Sequence, residues 1–583
     1  MAAIIFFLAL SIRLFMFAEA VSTPLVSPHA SQFTDMSVYH RWATLIAGGD
    51  WLGGELSHPM MRWHEEVARD YFQRRPDKLA ELQKESARAG RSPESLIWLE
   101  WTGGAAWFHQ EPLYYYFAAL VYGIWKAEPT SVMAIQLVFG AASASLVFLI
   151  TLRLFGFPAG IFAAALALLD GSLIWNDILL MRTTMTVFLA LLAVHLSLIA
   201  QERPTPKWAV LAGMVYGAGA LIQAYFMMGC FFFLAWTLVG GRRPWRERVN
   251  PAAWLGLGLL IALAPLIARN YAVGAPLLGL SAKRAYLLII ANAPDLDPFH
   301  PFNIGTPWVG KIMAVANGDA AATMWALIGA RGGLYNYVGF EILKLVAALA
   351  PFPMSDNGVT YTYYHHHLAA LRLAPVHWVL IAPLAIAGAF VCAGGIGRAV
   401  PLYLMILTLF SPLILVFTLA RYRVPLEAML IPLAGLALAR IIDILGAKKG
   451  AAAIACGAAL YLALFSPAGG PPGYADYSFA GMNYFRPKII TERDAGRHEA
   501  AAGVFDEWFR FEKDFGIREG GVRPRQARVA HWFVGLLAEQ AEALRRAGKP
   551  EEAGKRMERA ERIRAELAAK GMAPPPERVQ LPA

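Results

Sequence analysis

The chain has 583 residues, 57% hydrophobic and 16% charged, with a formal net charge of +10 and a mean hydropathy of +0.45. These proportions are far from a globular average and exclude an ordinary water-soluble domain as the whole protein. The cations are scattered over short loops and the tail rather than gathered on one surface, so nucleic acid is not expected among the partners.

Crossing a hydrocarbon core takes about 20 apolar residues, and backbone satisfaction in lipid makes such segments helical. Eleven stretches qualify: 3–21, 131–152, 158–175, 183–201, 208–222, 226–240, 253–270, 376–396, 400–420, 424–444 and 451–467. Two shorter stretches, 113–125 and 337–352, are spans or interfacial helices, so the expected class is an all-α polytopic membrane protein of 11 to 13 spans. The first segment ends Ala18-Glu19-Ala20, which imitates a signal-peptidase site, but it lacks a basic start and carries Arg13 mid-segment. A retained anchor is therefore expected.

After that segment comes a loop over 22–112. Thr34-Asp35-Met36-Ser37-Val38-Tyr39 opens an amphipathic helix that ends near Gly48-Gly49-Asp50-Trp51. Two roles are open for Asp35. It or Thr34 caps the first turn, or Asp35 is a general base at the membrane edge for an acceptor arriving from water. Tyr39 and Asp50 are candidate acceptor or sugar contacts. Further on, Trp63, Val67, Tyr71 and Phe72 mark an interfacial helix in a charged stretch that Pro76 interrupts.

Phe108-His109-Gln110-Glu111-Pro112 leads into Tyr114-Tyr115-Tyr116. The tyrosines suit an interfacial aromatic belt. His109 and Glu111, polar groups at a helix start, suit contact with a phosphate or sugar. Farther along, Asp170 and Asp177 flank a kink and contribute acids or pair with Arg182, which with Arg269, Asn270, Arg421 and Arg423 is a candidate contact for a donor phosphate or sugar. Gln223 sits at a turn as a hydrogen-bond donor to a sugar or as a plain polar turn residue.

Arg269-Asn270-Tyr271 closes the span at 253–270. The loop over 271–375 is too long for a connector and holds Asp356-Asn357, a candidate sugar or acceptor contact, before His365-His366-His367. Consecutive histidines point apart in regular structure, which disfavours one shared metal ion. Arg421-Tyr422-Arg423 with Pro425 follows between two apolar spans, and guanidinium groups there match a phosphate bidentately. Cys230, Cys392 and Cys456 all lie in apolar spans and imply no disulfide framework.

A Gly/Pro-rich linker over 468–489 precedes a helical tail over 490–583. Within it Leu537, Ala541 and Leu544, the turn Ala547-Gly548-Lys549-Pro550, and Ala553, Met557, Ala560 and Ile563 describe one tetratricopeptide-like hairpin. One such unit cannot bury its own core, so it packs on 490–530 or on a protein partner.

Loop cations set the orientation. Arg153, Arg203, Lys207, Arg242, Arg243, Arg246, Arg248, Arg398, Lys448 and Lys449 fall on one side, and only Arg182, Arg421 and Arg423 on the other. The N-terminus is thus expected inside, with both long loops and the tail on the outer, periplasmic face of an inner membrane.

Together these elements resemble family 39 membrane glycosyltransferases and their relatives, the protein O-mannosyltransferases and lipid A aminoarabinose transferases. The resemblance covers about 1–450 and is carried by Asp35-x-x-x-Tyr39-x-x-x-Ala43 with Gly49-Asp50-Trp51, by Gln110-Glu111-Pro112-Leu113-Tyr114, by Arg269-Asn270-Tyr271 with Gly274, and by Arg421-Tyr422-Arg423-x-Pro425. It implies the multispanning GT-C fold, a polyprenyl-phosphate sugar donor and a lipid, glycan or protein acceptor. It also implies Asp35 as the base, with Arg269, Arg421 and Arg423 at the donor phosphate. Met36 stands where many relatives carry a second acid, and Arg182 where an acid is expected, so a divalent metal stays open and no other cofactor is implied. The rival class is a transporter or lipid-handling protein, which would place ionisable groups near the midplane and show repeats.

Overall fold

The computed structural model describes residues 1–30, 34–103, 107–240, 244–282, 284–298, 306–350, 361–392, 396–440, 478–513, 517, 522 and 527–572. Among these every regular element is a helix, apart from one isolated bridge between Asp170 and Val376. α1 (Ala2–Ala20) and α2 (Asp35–Ala47) open the chain. The first long loop folds as α3 (Arg62–Arg74), α4 (Pro76–Ala89) and α5 (Pro93–Thr102), and ends at α6 (Leu113–Ile124). Pro76 and Pro93 start their helices where a missing N–H costs nothing.

An apolar series follows: α7 (Pro129–Phe155), α8 (Phe157–Leu168), the short α9 (Gly171–Asn176), α10 (Thr183–Glu202), α11 (Pro206–Ala220), α12 (Phe226–Val239) and α13 (Trp245–Val273). The second long loop holds α14 (Arg284–Asn292), α15 (Trp308–Ala316), α16 (Ala320–Ala330), α17 (Leu334–Leu349), α18 (Tyr361–His367) and α19 (Ala369–Arg372). Then come α20 (Trp378–Cys392), α21 (Ile396–Leu415) and α22 (Ala420–Ala439). The tail contributes α23 (Ser478–Asp494), α24 (His498–Phe511), α25 (Ala527–Arg546) and α26 (Pro550–Ala569).

Six of the described helices are long and apolar enough to cross a membrane: α1, α7, α10, residues 248–273 of α13, residues 397–415 of α21, and α22. Shorter apolar helices occupy most other expected spans, while 451–467 lies outside the described residues. The stretch 158–175 is not one continuous span. Asp170 breaks it, its carboxylate accepting from Leu173 N at 3.0 Å to start α9. The freed backbone is satisfied from outside, because Gly171 N donates to Val376 O and Val376 N to Leu169 O. Such irregular backbone is tolerated at membrane depth only where protein surrounds it.

Two compact units make up the chain. The first comprises 1–17, 38–354 and 369–469. At its centre α22 packs on α7, α8, α10, α20 and α21, while α11 and α13 cross closely. That crossing needs paired glycines: a Cβ at Gly213 would lie 2.0 Å from Leu255 O, and one at Gly258 2.1 Å from Val210 O. Small residues bring membrane helices together in this way. The apolar stripe of α3 is not left for an interface as expected. Val67, Tyr71 and Phe72 are buried, with α15 packed on the helix.

The second unit comprises 18–37, 355–368 and 470–583. α25 and α26 form the expected hairpin about Gly548, and α24 supplies the missing layer. Phe485, Trp508, Phe533, Leu537, Ile563 and Leu567 share one core, with Ala502, Ala541, Leu544 and Ala553 beside it.

Candidate functional site

Asp35 is the first residue of α2, and Thr34 does the capping. Thr34 Oγ1 accepts from Ser37 N at 3.1 Å and donates to Pro28 O at 3.0 Å. Asp35 itself is partly buried.

Beyond the helix start, in the first unit, a buried hydrogen-bond network ties α2, α6 and α7 together. Tyr39 OH donates to Gln110 Oε1 at 2.6 Å, Tyr115 OH to Gln110 O at 3.0 Å, and Tyr114 OH to Gln136 Oε1 at 2.7 Å. Gln136 Nε2 in turn donates to Asp177 O at 3.0 Å and Leu179 O at 2.7 Å. Tyr114 and Tyr115 are fully buried and Tyr116 OH donates to Trp51 O at 2.6 Å, so the expected aromatic belt is instead a set of struts. Tyr39 is likewise committed inside the protein.

The charged centre of this region is Glu111 with Arg182. Arg182 Nη1 lies 2.5 Å from Glu111 Oε2 and donates to Ile222 O at 2.8 Å, while Ser281 Oγ lies 3.3 Å from Glu111 Oε1. Both side chains are buried, and among the described residues Arg182 Nε has no hydrogen-bond partner. Leu113 N donates to Leu221 O at 2.8 Å, joining the start of α6 to the turn that carries Gln223, which is buried. Arg421, half-buried at the start of α22, is near enough for its charge to oppose that of Arg182.

The other predicted residues divide differently. Arg269 donates Nε and Nη2 to Leu52 O at 2.9 and 2.7 Å, and its guanidinium stacks 3.9 Å over Phe108. Asn270 Nδ2 donates to Pro276 O at 2.9 Å and Gly279 O at 3.2 Å. Asp50 accepts from Gly54 N at 2.7 Å and Glu55 N at 2.9 Å. These three shape loops. His109 Nδ1 must be the donor to Thr102 O, 2.8 Å away, and its ring sits 4.3 Å from that of His58.

Arg423 Nη1 donates to Ala350 O at 2.7 Å, and its guanidinium lies 5.0 Å over the Trp378 ring. Its charge acts on Asp170 and Glu427. Two residues apart on a helix point to different sides, which is why Arg421 and Arg423 separate. Asp356 and Asn357 lie outside the described residues.

Two predicted pairings need correction. Asp177 does not pair with Arg182. Its Oδ2 lies 2.6 Å from Arg13 Nε, and Thr184 Oγ1 donates to its Oδ1 at 2.8 Å. Asp170, the alternative partner, caps α9. Sequence reasoning misses Glu427, which is fully buried in α22. An acid inside an apolar span was the available signal. Among the described residues no three His, Cys, Asp or Glu side chains gather as a metal site, and His367 stacks on Phe511.

The fold and this buried charge define a polytopic helical protein with its polar groups drawn to α6, α10 and α22. Residues 109–268, which include Glu111 and Arg182, match the family described as dolichyl-phosphate-mannose-protein mannosyltransferase. No curated protein matches. Similar solved structures include the archaeal oligosaccharyltransferase AglB from Archaeoglobus fulgidus in complex with an inhibitory peptide and a dolichol-phosphate. That match has 15% identity over 76% of this chain and 51% of that one, with a TM-score of 0.35. The same organism's oligosaccharyltransferase in the apo form gives 14% identity, 76% and 51% coverage and a TM-score of 0.31. Tethered to an acceptor peptide it gives 16%, 73%, 49% and 0.32. The chain spans about half the length of these proteins.

Proposed function

We propose that this protein is a GT-C-type membrane glycosyltransferase that moves a sugar from a polyprenyl-phosphate carrier to an acceptor on the outer face of the membrane. The reading is carried by the buried Glu111–Arg182 pair within 109–268, the segment that matches a family named for a dolichyl-phosphate donor. The outer-face assignment rests on the distribution of loop cations.

In this reaction the acceptor hydroxyl or amine attacks the anomeric carbon as Asp35 removes its proton, and the bond from that carbon to the phosphate oxygen breaks. The configuration inverts. The phosphate leaves with one more negative charge than the singly charged phosphodiester donor carried, and a fixed cation stabilises that added charge in the transition state. Arg421 is assigned to meet that charge, with Arg182, paired to Glu111, acting nearby. Arg269 and Arg423, whose donors go to Leu52 O and Ala350 O, are assigned to the scaffold.

The test uses the full chain in lipid nanodiscs with a radiolabelled polyprenyl-phosphate hexose. Sugar release and transfer are expected, and Asp35→Asn should lower turnover roughly 10²- to 10⁴-fold. Full transfer by Asp35→Asn would remove the base assignment. A chain that releases no sugar from any polyprenyl-phosphate glycoside would remove the class.

A further inference from the structure

The tail takes no part in the proposed chemistry, yet its helices are built against two distant segments of the chain. α23 packs on the 3-10 turns Pro24–Val26 and Pro28–Ala30. Tyr364 OH, in α18, donates to Leu25 O at 2.7 Å across 339 residues, and both residues are fully buried. At the end of α18 the His367 ring lies parallel to Phe511 of α24, with centroids 4.5 Å apart and planes 3° apart. Its Nε2 is 3.8 Å from the buried Glu512 carboxylate. Phe511 itself rests on the tail core, 6.0 Å from the Phe485 ring.

These contacts converge on the segment before α2. Leu25 and Val26 are buried, and Pro28 O receives the hydroxyl of Thr34, whose oxygen caps the helix that Asp35 begins. We infer that the C-terminal tail, acting through α23 and through His367 and Tyr364 of α18, is a positioning element for the segment that carries Asp35. Its effect on transfer rests on the base assignment above, while the anchoring itself does not. A general base must be held to within a fraction of an ångström, and a misplacement of about 1 Å costs on the order of 10²-fold in rate. A loop of proline turns held only at its ends would not keep that precision.

The experiment compares the full chain with Tyr364→Phe, Phe511→Leu and His367→Phe, by hydrogen exchange at residues 23–30 and by transfer from the radiolabelled polyprenyl-phosphate hexose. Tyr364→Phe removes one buried hydrogen bond, so exchange at 23–30 should rise roughly fivefold. kcat should fall about tenfold with the donor KM unchanged. Phe511→Leu should act in the same direction. His367→Phe keeps the stacked ring but gives up the contact with Glu512, so it should act in the same direction and more weakly.

Unchanged exchange at 23–30 in both Tyr364→Phe and Phe511→Leu would overturn the inference. So would a loss of protection spread equally through α7 and α10, which signals general destabilisation. If Asp35→Asn keeps full transfer while Tyr364→Phe still loosens 23–30, the anchoring stands and the base assignment falls.

Discussion

Arg13 and Asp177 form a buried ion pair, 2.6 Å from Nε to Oδ2, that joins α1 to the turn between α9 and α10. Gly140 of α7 makes room for it, since a Cβ there would lie 2.1 Å from Asp177 Oδ2 and 2.5 Å from Arg13 Nε. The charge in the middle of the first apolar helix is thus a structural pin.

Removing one partner of such a pair leaves an uncompensated buried charge. Arg13→Ala should lower stability by roughly 3–5 kcal/mol, whereas Arg13→Met combined with Asp177→Leu should recover much of the loss. Thermal unfolding of the full chain in detergent reads both. Equal losses in the single and double variants would contradict the pin.

Glu111 and Arg182 act as one unit in the proposed site. Arg182→Gln should reduce kcat about 10²- to 10³-fold, and Glu111→Gln should do the same by releasing the guanidinium. The double variant should fall little further than either single, because contacting residues are not additive. Strictly additive losses in transfer kinetics would dissolve the unit.

Arg421 and Arg423 should separate in assay. Arg421→Gln is expected to lower turnover with the melting temperature kept. Arg423→Gln loses the bond to Ala350 O and the charge facing Asp170 and Glu427, so it should lower the melting temperature first. The reverse pattern in paired kinetic and unfolding measurements would exchange their roles.

His64 of α3 is buried, stacks 3.9 Å from Trp98, and accepts from Met61 N at its Nδ1. Burial, then the nearby His58, pushes its pKa down to about 3. The unfolded chain therefore binds this proton first, near pH 6.5, and the contribution of the neutral ring to stability is lost as pH falls from there toward 3. Between pH 7 and pH 4.5 the parent protein should lose more melting temperature than His64→Phe. Equal losses would show that His64 is not the sensor.

Most of the apolar helices, the Pro76 interruption and the tail hairpin were legible because composition and period fix them locally, whereas the break of 158–175 at Asp170 was not. Leu537, Ala541, Leu544, Ala553, Ala560 and Ile563 all proved buried. Pairing was not legible. Asp177 lies five residues before Arg182 but meets Arg13, 164 residues away, while Arg182 meets Glu111 across 71 residues. Sequence proximity says nothing about which side a residue faces once Asp170 has broken the helix. The arginines carried one further ambiguity: a phosphate and a backbone carbonyl both satisfy a guanidinium, and Arg269 and Arg423 found carbonyls.

The unit that joins 18–37, 355–368 and the tail also sets an order of events during synthesis. The proline turns before Asp35 are made first, whereas α26 ends at Ala569. At roughly 5–20 residues per second the interval is on the order of half a minute to two minutes. Throughout that time the helices of the first unit can insert and pack while the Asp35 segment lacks its anchors. Transfer competence would then arrive last, once the tail has folded, so an unfinished chain would hold its donor-side charges in place without a seated base.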